Sequence, residues 1–414
     1  MCRRRPSEWT RRAGKRLGVI AAGVLGSAWT CAAQVQEGES GPEQRVERYM
    51  ERLGMDELLA AQLRDRLVRT PTSQRVEIAE QLARIYVRQL RAATDLAERK
   101  RIERLADELL ASVDDAQSYD LRIEIAKARY LEAEEIAERV RLLLADEAQR
   151  DEAVRVLGSV RTVFGQIGAR LNREVESLER AERATSNNDR LTEIERALSE
   201  ARRLRSLGKY YSGWTNYYLA ELTQQPNLAM EAIGDFAYLL NAAGEKTPPA
   251  DKLPRNLLQY EHVARAALGV AMAAAIRGDD TLALRWLDVV TTSEEVPESV
   301  HKQVFSRRII VYAAAKRWAD IEWMLHQRSR QNAEAMSVQE ARLLAVKTLS
   351  ALKQARGGEP QRDVLVQALA QTALAELIRR GEVGHVLDLV SAFDADIIGS
   401  DGFIVRYVNG LRQY

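Results

Sequence analysis

Few residues of this sequence have the type and spacing that catalysis or metal binding requires. The four histidines lie far apart along the chain: His262, His301, His326 and His385. They form no i, i+4 pair and no HExxH arrangement, and the sequence contains no GxSxG, P-loop or GxGxxG motif. The acidic residues fall in mixed-charge segments, where pairing with Arg or Lys at helical spacing explains them. We therefore predict a protein that is not an enzyme and that holds no metal and no cofactor.

A concentration of aromatic side chains is the stretch best suited to recognition. Five of them fall within nine residues: Tyr210, Tyr211, Trp214, Tyr217 and Tyr218. At helical spacing four of these share a face, and Tyr211 lies beside it. The pattern is typical of the buried side of a helix hairpin whose partner helix carries small side chains. It also fits an aromatic groove for a peptide or a glycan, with Asn216 as a polar contact.

The elements that must position these residues are predicted to be helices. No proline occurs from Thr72 to Gln225 and no glycine from Met55 to Leu157, which favours helix over long stretches. We expect residues 245–253 to form a long loop, either at a subdomain boundary or as a mobile segment. The predicted helices cover residues 43–53, 55–69, 73–93, 95–113, 118–146, 152–184, 191–207, 209–222, 228–243, 254–277, 282–291, 297–316, 318–330, 337–356, 361–380, 383–393 and 403–411.

The clearest helical period lies between residues 154 and 178. Apolar side chains recur there every three or four positions: Val154, Leu157, Val160, Phe164, Ile167, Leu171, Val175 and Leu178. They form a stripe about 36 Å long. The glycines within the stripe and the short heptad run favour packing against helices of the same chain, and an intermolecular coiled coil is the alternative.

The N-terminus has the three parts of a secretory signal peptide. Residues 2–16 carry seven basic residues and one acidic residue, residues 17–29 carry no charge, and Cys31-Ala32-Ala33 offers small side chains before a cut at Gln34. The uncharged run is too short to cross a bilayer, so an uncleaved anchor is the weaker alternative. We predict cleavage after Ala33, no stable membrane span afterwards, and a periplasmic or secreted protein.

Cleavage changes the charge balance of the chain. Removing seven basic residues and one acidic residue leaves 54 basic against 59 acidic residues, a net charge of −5. A mildly acidic exported protein is not expected to bind nucleic acid through its overall field. The two cysteines, Cys2 and Cys31, leave with the signal peptide. Packing alone must then stabilise the mature chain.

Residues 263–290 show the unit from which the second half of the chain is built. Val263–Ile276 is small and apolar on nearly every side, and Gly278-Asp279-Asp280 interrupts it. The segment that follows places Leu282, Trp286 and Val290 along one face. A hairpin of this size cannot bury its own apolar surface and needs similar neighbours. The predicted fold class is therefore all-α, an α-solenoid of antiparallel helix hairpins preceded by longer helices.

These hairpins resemble tetratricopeptide repeats, a family of helix–turn–helix units of about 34 residues. The matching positions are Val270-Ala271, Gly278, Ala283 and Leu287 in one unit, Gly208, Gly213, Tyr217 and Ala220 in a second, Gly381, Val386 and Val390 in a third, and Lys316-Arg317-Trp318-Ala319 in a degenerate fourth. The turn at Gly208 would lie 70 residues before the turn at Gly278, or two repeats. The resemblance covers residues 190–395 and lacks the usual first-helix tryptophan. Helical stacking without kinship is the alternative.

The resemblance implies a binding surface. Repeats of this family bind extended peptides along the face made by their first helices, which here would carry Arg202, Arg205, Arg265, Gln303, Gln371 and Arg379. The arginines could bind a carboxylate, although ordinary surface arginines on charged helices are an equal alternative. The aromatic stretch adds further candidate partner-binding residues: Tyr210, Trp214, Asn216 and Tyr217.

The sequence thus predicts an exported scaffold or adaptor that binds a protein or peptide in the cell envelope without catalysis. The alternatives are a peptidoglycan-associated α-superhelical protein and a structural protein that self-associates through its long N-terminal helices. The predicted organisation is a signal peptide at 1–33, a linker at 34–42, a long-helix region at 43–205 and a tetratricopeptide-like region at 206–414.

Overall fold

The computed structural model describes residues 42–71, 74–113, 119–245, 247–330, 336–355, 360–393 and 410. Over these residues the regular structure is helical and contains no strand, which confirms the predicted all-α class. The α helices are α1 Pro42–Arg52, α2 Asp56–Arg69, α3 Arg75–Ala92, α4 Leu96–Ser112, α5 Tyr119–Arg141, α6 Glu147–Ala184, α7 Asn188–Thr223, α8 Pro226–Leu239, α9 Glu261–Ile276, α10 Asp280–Thr292, α11 Glu298–Ala314, α12 Trp318–Arg330, α13 Val338–Gln354, α14 Pro360–Arg379 and α15 Val383–Phe393. None of these helices combines the length and the apolarity that crossing a membrane requires. The predicted signal peptide lies outside the described residues, as does the predicted last helix except for Gly410.

The chain divides into two compact units, the first ending at Leu59 and the second beginning at Ala60. Helix α1 and the first residues of α2 belong to the first unit. The remainder of α2 and helices α3 to α15 belong to the second, which contains the turns, the packing and the cleft described below. The predicted subdomain boundary at residues 245–253 is therefore wrong. That loop is held by a hydrogen bond, because the buried Trp286 Nε1 donates to the carbonyl oxygen of Pro248 at 2.9 Å.

Local capping groups explain where many helices begin. The Asp95 and Asp279 side chains accept hydrogen bonds from the backbone N–H groups of Glu98 and Leu282, which would otherwise lack partners at the start of a helix. Asp146 with Gln149 and Ser337 with Glu340 form reciprocal capping boxes. Two glycines with positive φ, Gly278 at 73° and Gly381 at 80°, follow the ends of α9 and α14. The turns predicted at these two glycines are confirmed.

The helix end predicted at Gly208 is wrong. Helix α7 runs without interruption from Asn188 to Thr223, and Gly208 is buried within it. One glycine inside a helix costs only about 1 kcal/mol, and the buried side chains on both sides of it, among them Leu204 and Trp214, offset that cost. The 70-residue spacing between turns at Gly208 and Gly278 therefore has no structural counterpart. The expected division between residues 205 and 206 falls within this helix.

Helices α6 and α7 are the two longest described elements, with 38 and 36 residues. They pack against each other, and α5 packs against both. The predicted apolar stripe of α6 is buried over most of its length, at Leu157, Val160, Phe164, Ile167, Leu171 and Val175. The chain's own helices cover the stripe, as the intramolecular interpretation predicts. Where α6 ends and α7 begins, a separate small apolar cluster consists of Val175, Leu198 and Ala201, with Leu178 packed against it.

The odd-numbered helices form a continuous layer in the second unit. From α3 to α15, each odd-numbered helix contacts the next odd-numbered one, and most even-numbered helices pack against both of their sequence neighbours. We call α3, α5, α7, α9, α11, α13 and α15 the odd-helix layer. A single large apolar cluster extends from Ile123 in α5 to Phe393 in α15. Packing thus joins helices that are distant in the sequence as well as helices that follow each other directly.

Phe236 fixes how closely α7, α8 and α9 approach. Its ring, on α8, lies between Gly213 of α7 and Gly269 of α9. A Cβ atom at Gly213 would lie 2.6 Å from the ring, and one at Gly269 would lie closer still. Both glycines are therefore required for this packing, whereas a Cβ at Gly208 would meet nothing within 4 Å.

We predict opposite effects of Gly→Ala substitutions in these helices. Gly269→Ala should lower the free energy of unfolding by about 1–3 kcal/mol, because the added methyl group overpacks against Phe236. Gly208→Ala should raise it by about 0.5–1 kcal/mol, because alanine restricts the unfolded chain and fits the helix without a clash. Urea denaturation followed by circular dichroism measures both, and equal effects of the two substitutions would contradict this account.

Candidate binding cleft

A cleft opens on the odd-helix layer, between four of its successive helices. Its lining comes from α5 (Tyr130, Leu131 and Glu134), α7 (Tyr210, Tyr211 and Trp214), α9 (Arg265) and α11 (Gln303 and Arg307). The cavity has a volume of about 70 Å³. This is room for a few waters or for one small polar group, and it is well below the volume of a pocket for a drug-sized ligand.

Aromatic rings form the walls of the cleft. Tyr211 meets Tyr210 and Tyr130 edge to face at centroid distances of 5.1 and 5.5 Å, and it stacks on Phe164 at 6.0 Å. Trp214 is buried, with 7% of its surface exposed. Rings locked by such contacts have little rotamer freedom left to lose when a ligand binds. The walls of the cleft are therefore already ordered.

Two arginines bring positive charge to the cleft. Arg265 Nη2 lies 3.0 Å from Glu261 Oε1, one turn earlier on α9. Arg307 donates from both terminal nitrogens to Glu138 Oε1 at 3.0 Å, and its side chain is 13% exposed. The Tyr210 hydroxyl accepts hydrogen bonds from the side chains of Arg265 and Trp214. Among the described residues, Arg265 Nε and Arg307 Nε are enclosed and have no hydrogen-bond partner.

Behind the cleft lies a network of buried charges and hydroxyl groups. We call it the polar cluster and define it by Glu138, Arg141, Tyr217, Tyr218, Glu221 and Arg307. Arg141 is almost wholly buried, with its side chain 2% exposed, and it forms ion pairs with both Glu138 and Glu221. It also donates from Nη2 to the Tyr217 hydroxyl at 3.1 Å. The Tyr218 hydroxyl lies 2.7 Å from Glu138 Oε1.

The pKa of Glu138 in the polar cluster and that of Glu134 in the neighbouring cleft are shifted in opposite directions. Burial alone would raise the pKa of Glu138, but the positive charges of Arg141 and Arg307, with the hydrogen bond from Tyr218, outweigh it and lower the pKa to about 2. For Glu134, burial outweighs the hydrogen bonds from Tyr218 and Tyr130, so its pKa is raised. Burial also lowers the pKa of Lys347, which lies near Glu221, Arg141 and Glu138. Glu138 thus stays ionised, while the proton of Glu134 is held more tightly than usual.

A long-range contact also joins α13 to the end of α5. The Arg342 side chain is fully buried and donates from Nε to the carbonyl oxygen of Leu142 at 2.7 Å and from Nη2 to that of Leu143 at 3.0 Å. Leu143 has φ 54°, the left-handed region, which ends α5 near Arg141. The extension of this helix to residue 146 predicted from the sequence is therefore wrong. Arg342 supplies hydrogen bonds to carbonyl groups that the helix cannot satisfy itself.

Four of the predicted partner-binding residues meet in the cleft. Tyr210, Trp214, Arg265 and Gln303 come from three helices, and all line this one cavity. Tyr210 lies close to the Arg265 guanidinium, although burial still raises the pKa of its hydroxyl. The interpretation of the aromatic stretch as buried holds for part of it, and its interpretation as a groove for a peptide or a glycan stays a prediction. Tyr217 and Tyr218 are fully buried, whereas Tyr210 and Tyr211 are half-buried.

Two predicted residues lie in the protein interior and outside the cleft. Asn216 is buried; its Oδ1 accepts from Arg161 Nε at 2.9 Å, and its Nδ2 donates to Asp235 Oδ2 at 3.2 Å. Tyr217 belongs to the polar cluster. Asn216 therefore links α6, α7 and α8 and is not the polar contact of a groove, because its hydrogen-bonding groups are used inside the protein.

The remaining predicted residues lie elsewhere on the surface. Arg202 donates to Glu179 at 2.7 Å, and Arg205 lies over the Tyr238 ring at 5.1 Å. On α14, Arg379 forms two hydrogen bonds with Glu376, and Gln371 is exposed. These four do not line the cleft. Their role in partner binding stays a prediction.

Sequence reasoning missed the residues that α5 contributes, and it missed Arg307. The signal was present in α5, where Tyr130, Glu134, Glu138 and Arg141 follow each other at three- or four-residue steps along one helical face. Such a row resembles the solvated face of a surface helix. Only the position of Arg307, 169 residues away from Glu138, shows that this face is covered.

Comparisons with models of known families, with curated proteins and with solved structures found no match. Within the described part of the chain, no group of three or more His, Cys, Asp or Glu residues could hold a metal ion.

We predict that Glu138→Gln destabilises the protein by about 1–3 kcal/mol near neutral pH, because it removes the negative charge that the buried Arg141 and Arg307 share and leaves Arg141 with Glu221 alone. Glu152→Gln is the matched control: Glu152 also accepts from an arginine one turn later, Arg155 at 2.9 Å, but at the surface. The control should leave the denaturation midpoint nearly unchanged, since solvent screens an exposed pair.

The same pair of variants predicts a pH dependence. Glu138 has a pKa of about 2 in the folded protein against 4.5 for an unperturbed carboxyl. Its contribution to stability is complete above about pH 4.5 and is lost as the pH falls towards 2. Unfolding curves at intervals across this range should show a steeper loss for the wild type than for Glu138→Gln. Parallel curves for the two proteins would contradict the assignment.

Proposed function

We propose that this protein is a non-catalytic scaffold of the cell envelope that binds a protein or peptide partner on the odd-helix layer, at the cleft. In this proposal the second unit is an α-solenoid of helix hairpins whose C-terminal part, predicted at residues 206–414, is tetratricopeptide-like. The observation that carries the proposal is that all nine lining residues of the cleft come from α5, α7, α9 and α11, four successive helices of one layer.

Helix packing supports the solenoid part of the proposal. Contacts between successive odd-numbered helices are what a stack of hairpins requires, because each hairpin buries its apolar face against the next. The hairpins α9–α10 and α14–α15 turn at Gly278 and Gly381, as the resemblance to tetratricopeptide repeats implies. The continuous helix α7 departs from that pattern. The tetratricopeptide-like part is thus best supported from α9 onwards.

The cleft supports the recognition part. Pre-ordered aromatic walls, two arginines and an accessible amide at Gln303 suit a polar group carried on a less polar stem. A cavity of about 70 Å³ cannot enclose a large ligand. Binding would then engage one side chain of a partner within the cleft and spread the remaining contact over the odd-helix layer.

Matched Gln→Ala substitutions test where a partner binds. Gln303 lines the cleft, whereas Gln371 lies on α14 outside it. Used as bait in an envelope extract at moderate salt, the wild type and Gln371→Ala should capture the same partner, and Gln303→Ala should capture at least fivefold less. Each bait is first checked for an unchanged denaturation midpoint. Equal capture by all three baits would contradict a role for the cleft, and so would loss with Gln371→Ala alone.

Export is tested separately on the protein itself. The basic start, the uncharged run at 17–29 and the small residues before Gln34 support cleavage after Ala33. Intact mass measurement of the protein from an envelope fraction should show an N-terminus at Gln34. Ala33→Leu should abolish this cut, because the position before it accepts only small side chains. A wild-type protein that retains Met1 would contradict export.

A further inference from the structure

We infer that α1 binds the surface of a phospholipid bilayer with anionic headgroups, with the helix lying in the plane of the interface. The inference goes beyond the proposed function, because α1 belongs to the first unit and contributes no residue to the lining of the cleft. Three observations carry it: an apolar strip that faces solvent, arginines along one edge of that strip, and an acid on the other edge that is buried.

The apolar strip of α1 consists of Val46, Tyr49 and Leu53, which are each about half exposed. They recur at three- and four-residue steps, so they share one face of the helix. Met55 and Leu58 are exposed as well and follow in the same unit. Of the twelve large apolar side chains that are exposed in the described part of the chain, five therefore lie between Val46 and Leu58. Such a concentration marks an interaction surface, whereas single exposed apolar residues are ordinary.

Arginines form one edge of the apolar strip. At about 100° per residue, Val46 and Leu53 lie at the centre of the strip and Tyr49 lies beside them. Arg45 and Arg52 come next on the side of Tyr49, and both are exposed. Arginine can lay its apolar stem along such a strip while its guanidinium stays in water. The exposed side of α1 thus combines an apolar centre with a positively charged border.

The acid on the opposite edge of the strip is withdrawn from solvent. Glu47 is only 8% exposed, and Met50, which lies between Glu47 and the strip, is half-buried. The covered side of α1 is therefore its acidic edge, although an amphipathic helix usually covers its apolar side. Arg48 and Glu51 lie on the back of the helix, where their opposite charges balance.

Charge complementarity points to an anionic bilayer as the occupant of this face. An apolar strip with a cationic border complements a layer whose apolar interior lies beneath negative headgroups. The Tyr49 ring carries a hydroxyl on an apolar body, which suits the boundary between the two. The acids that follow, Asp56 and Glu57, begin α2, where they complement the positive end of that helix.

A second copy of α1 fits the same face less well. In an antiparallel pair, the arginine edges of the two helices would meet and repel each other. In a parallel pair, each arginine edge would need the acidic edge of the other copy, and Glu47 on that edge is already buried. The bilayer requires neither arrangement, because its charge is spread over a surface.

Sedimentation with lipid vesicles tests the inference on the protein purified from an envelope fraction. One set of vesicles contains phosphatidylcholine alone, and the other contains equal parts of phosphatidylcholine and phosphatidylglycerol. We expect reversible binding to the mixed vesicles that is at least about fivefold tighter than binding to the neutral ones, because each arginine near an anionic surface contributes about that factor. Added salt should reduce the difference. Equal binding to both sets, or no binding to the mixed vesicles, would overturn the inference.

Two matched pairs of substitutions locate the surface that binds. Leu53→Ser on α1 is matched by Leu96→Ser at the start of α4, because the two leucines are 54% and 51% exposed. Arg52→Gln is matched by Arg173→Gln on α6, because each arginine donates from Nε to the carbonyl oxygen four residues earlier at 3.4 Å. Both members of this pair remove one positive charge, so the overall field changes equally. The α1 member of each pair should weaken binding to the mixed vesicles about fivefold, and the control should leave it unchanged.

The substituted side chains are all exposed, so each variant should keep the denaturation midpoint of the wild type. If Leu53→Ser does not, the arginine pair decides the question. An equal loss of binding in both members of a pair would overturn the inference, because the effect would not be specific to α1. Sedimentation velocity adds the test for a second copy: if Leu53→Ser converts a dimer into a monomer while vesicle binding is unchanged, α1 is a self-association surface and the inference is wrong. None of these outcomes bears on the proposed function, which depends on Gln303 in the cleft.

Discussion

The ion pairs of Arg141 with Glu138 and Glu221 constrain the rest of the second unit. A charge this deeply buried is tolerated only when its partners and their hydrogen bonds are complete. Glu138 lies on α5, Glu221 on α7, and the second cation on Glu138, Arg307, lies on α11. Three helices must therefore meet at one place. Apolar packing favours many arrangements of helix pairs, whereas this network is satisfied by few of them.

The cleft depends on the same constraint. Arg307, which is paired with Glu138, also lines the cavity, and the hydroxyl of Tyr218 bridges the polar cluster to Glu134 in the cleft. The cleft and the polar cluster therefore share residues. Phe236, held between Gly213 and Gly269, sets the spacing of α7 and α9, the helices that carry the aromatic wall and Arg265. A substitution that disturbs the polar cluster or the packing of Phe236 should therefore shift helices that line the cavity.

How far the sequence predicts this structure depends on the distance over which each interaction acts. The helices that begin after Asp95 and Asp279 start with a hydrogen bond from a backbone N–H group three residues further along the chain. Such a local signal is visible in the sequence. A helix end was predicted at Gly208 because glycine lowers helix propensity. The burial of the neighbouring side chains, which keeps α7 continuous, could not be seen in the sequence. Arg265 and Gln303 were identified through the resemblance, and they meet in one cavity. Glu134 and Arg307 were not, since their significance arises from contacts between segments up to 169 residues apart.

The hydrogen bonds from Arg342 to the end of α5 have a consequence for how the chain folds. They join residues 199 and 200 positions apart, although a stack of hairpins in general needs only contacts between neighbouring units. During synthesis, α5 and the polar residues of its last turn must wait for α13 before their partners exist. Loop closure over that distance slows folding. The second unit should therefore form as one cooperative whole, and not by independent addition of hairpins from one end.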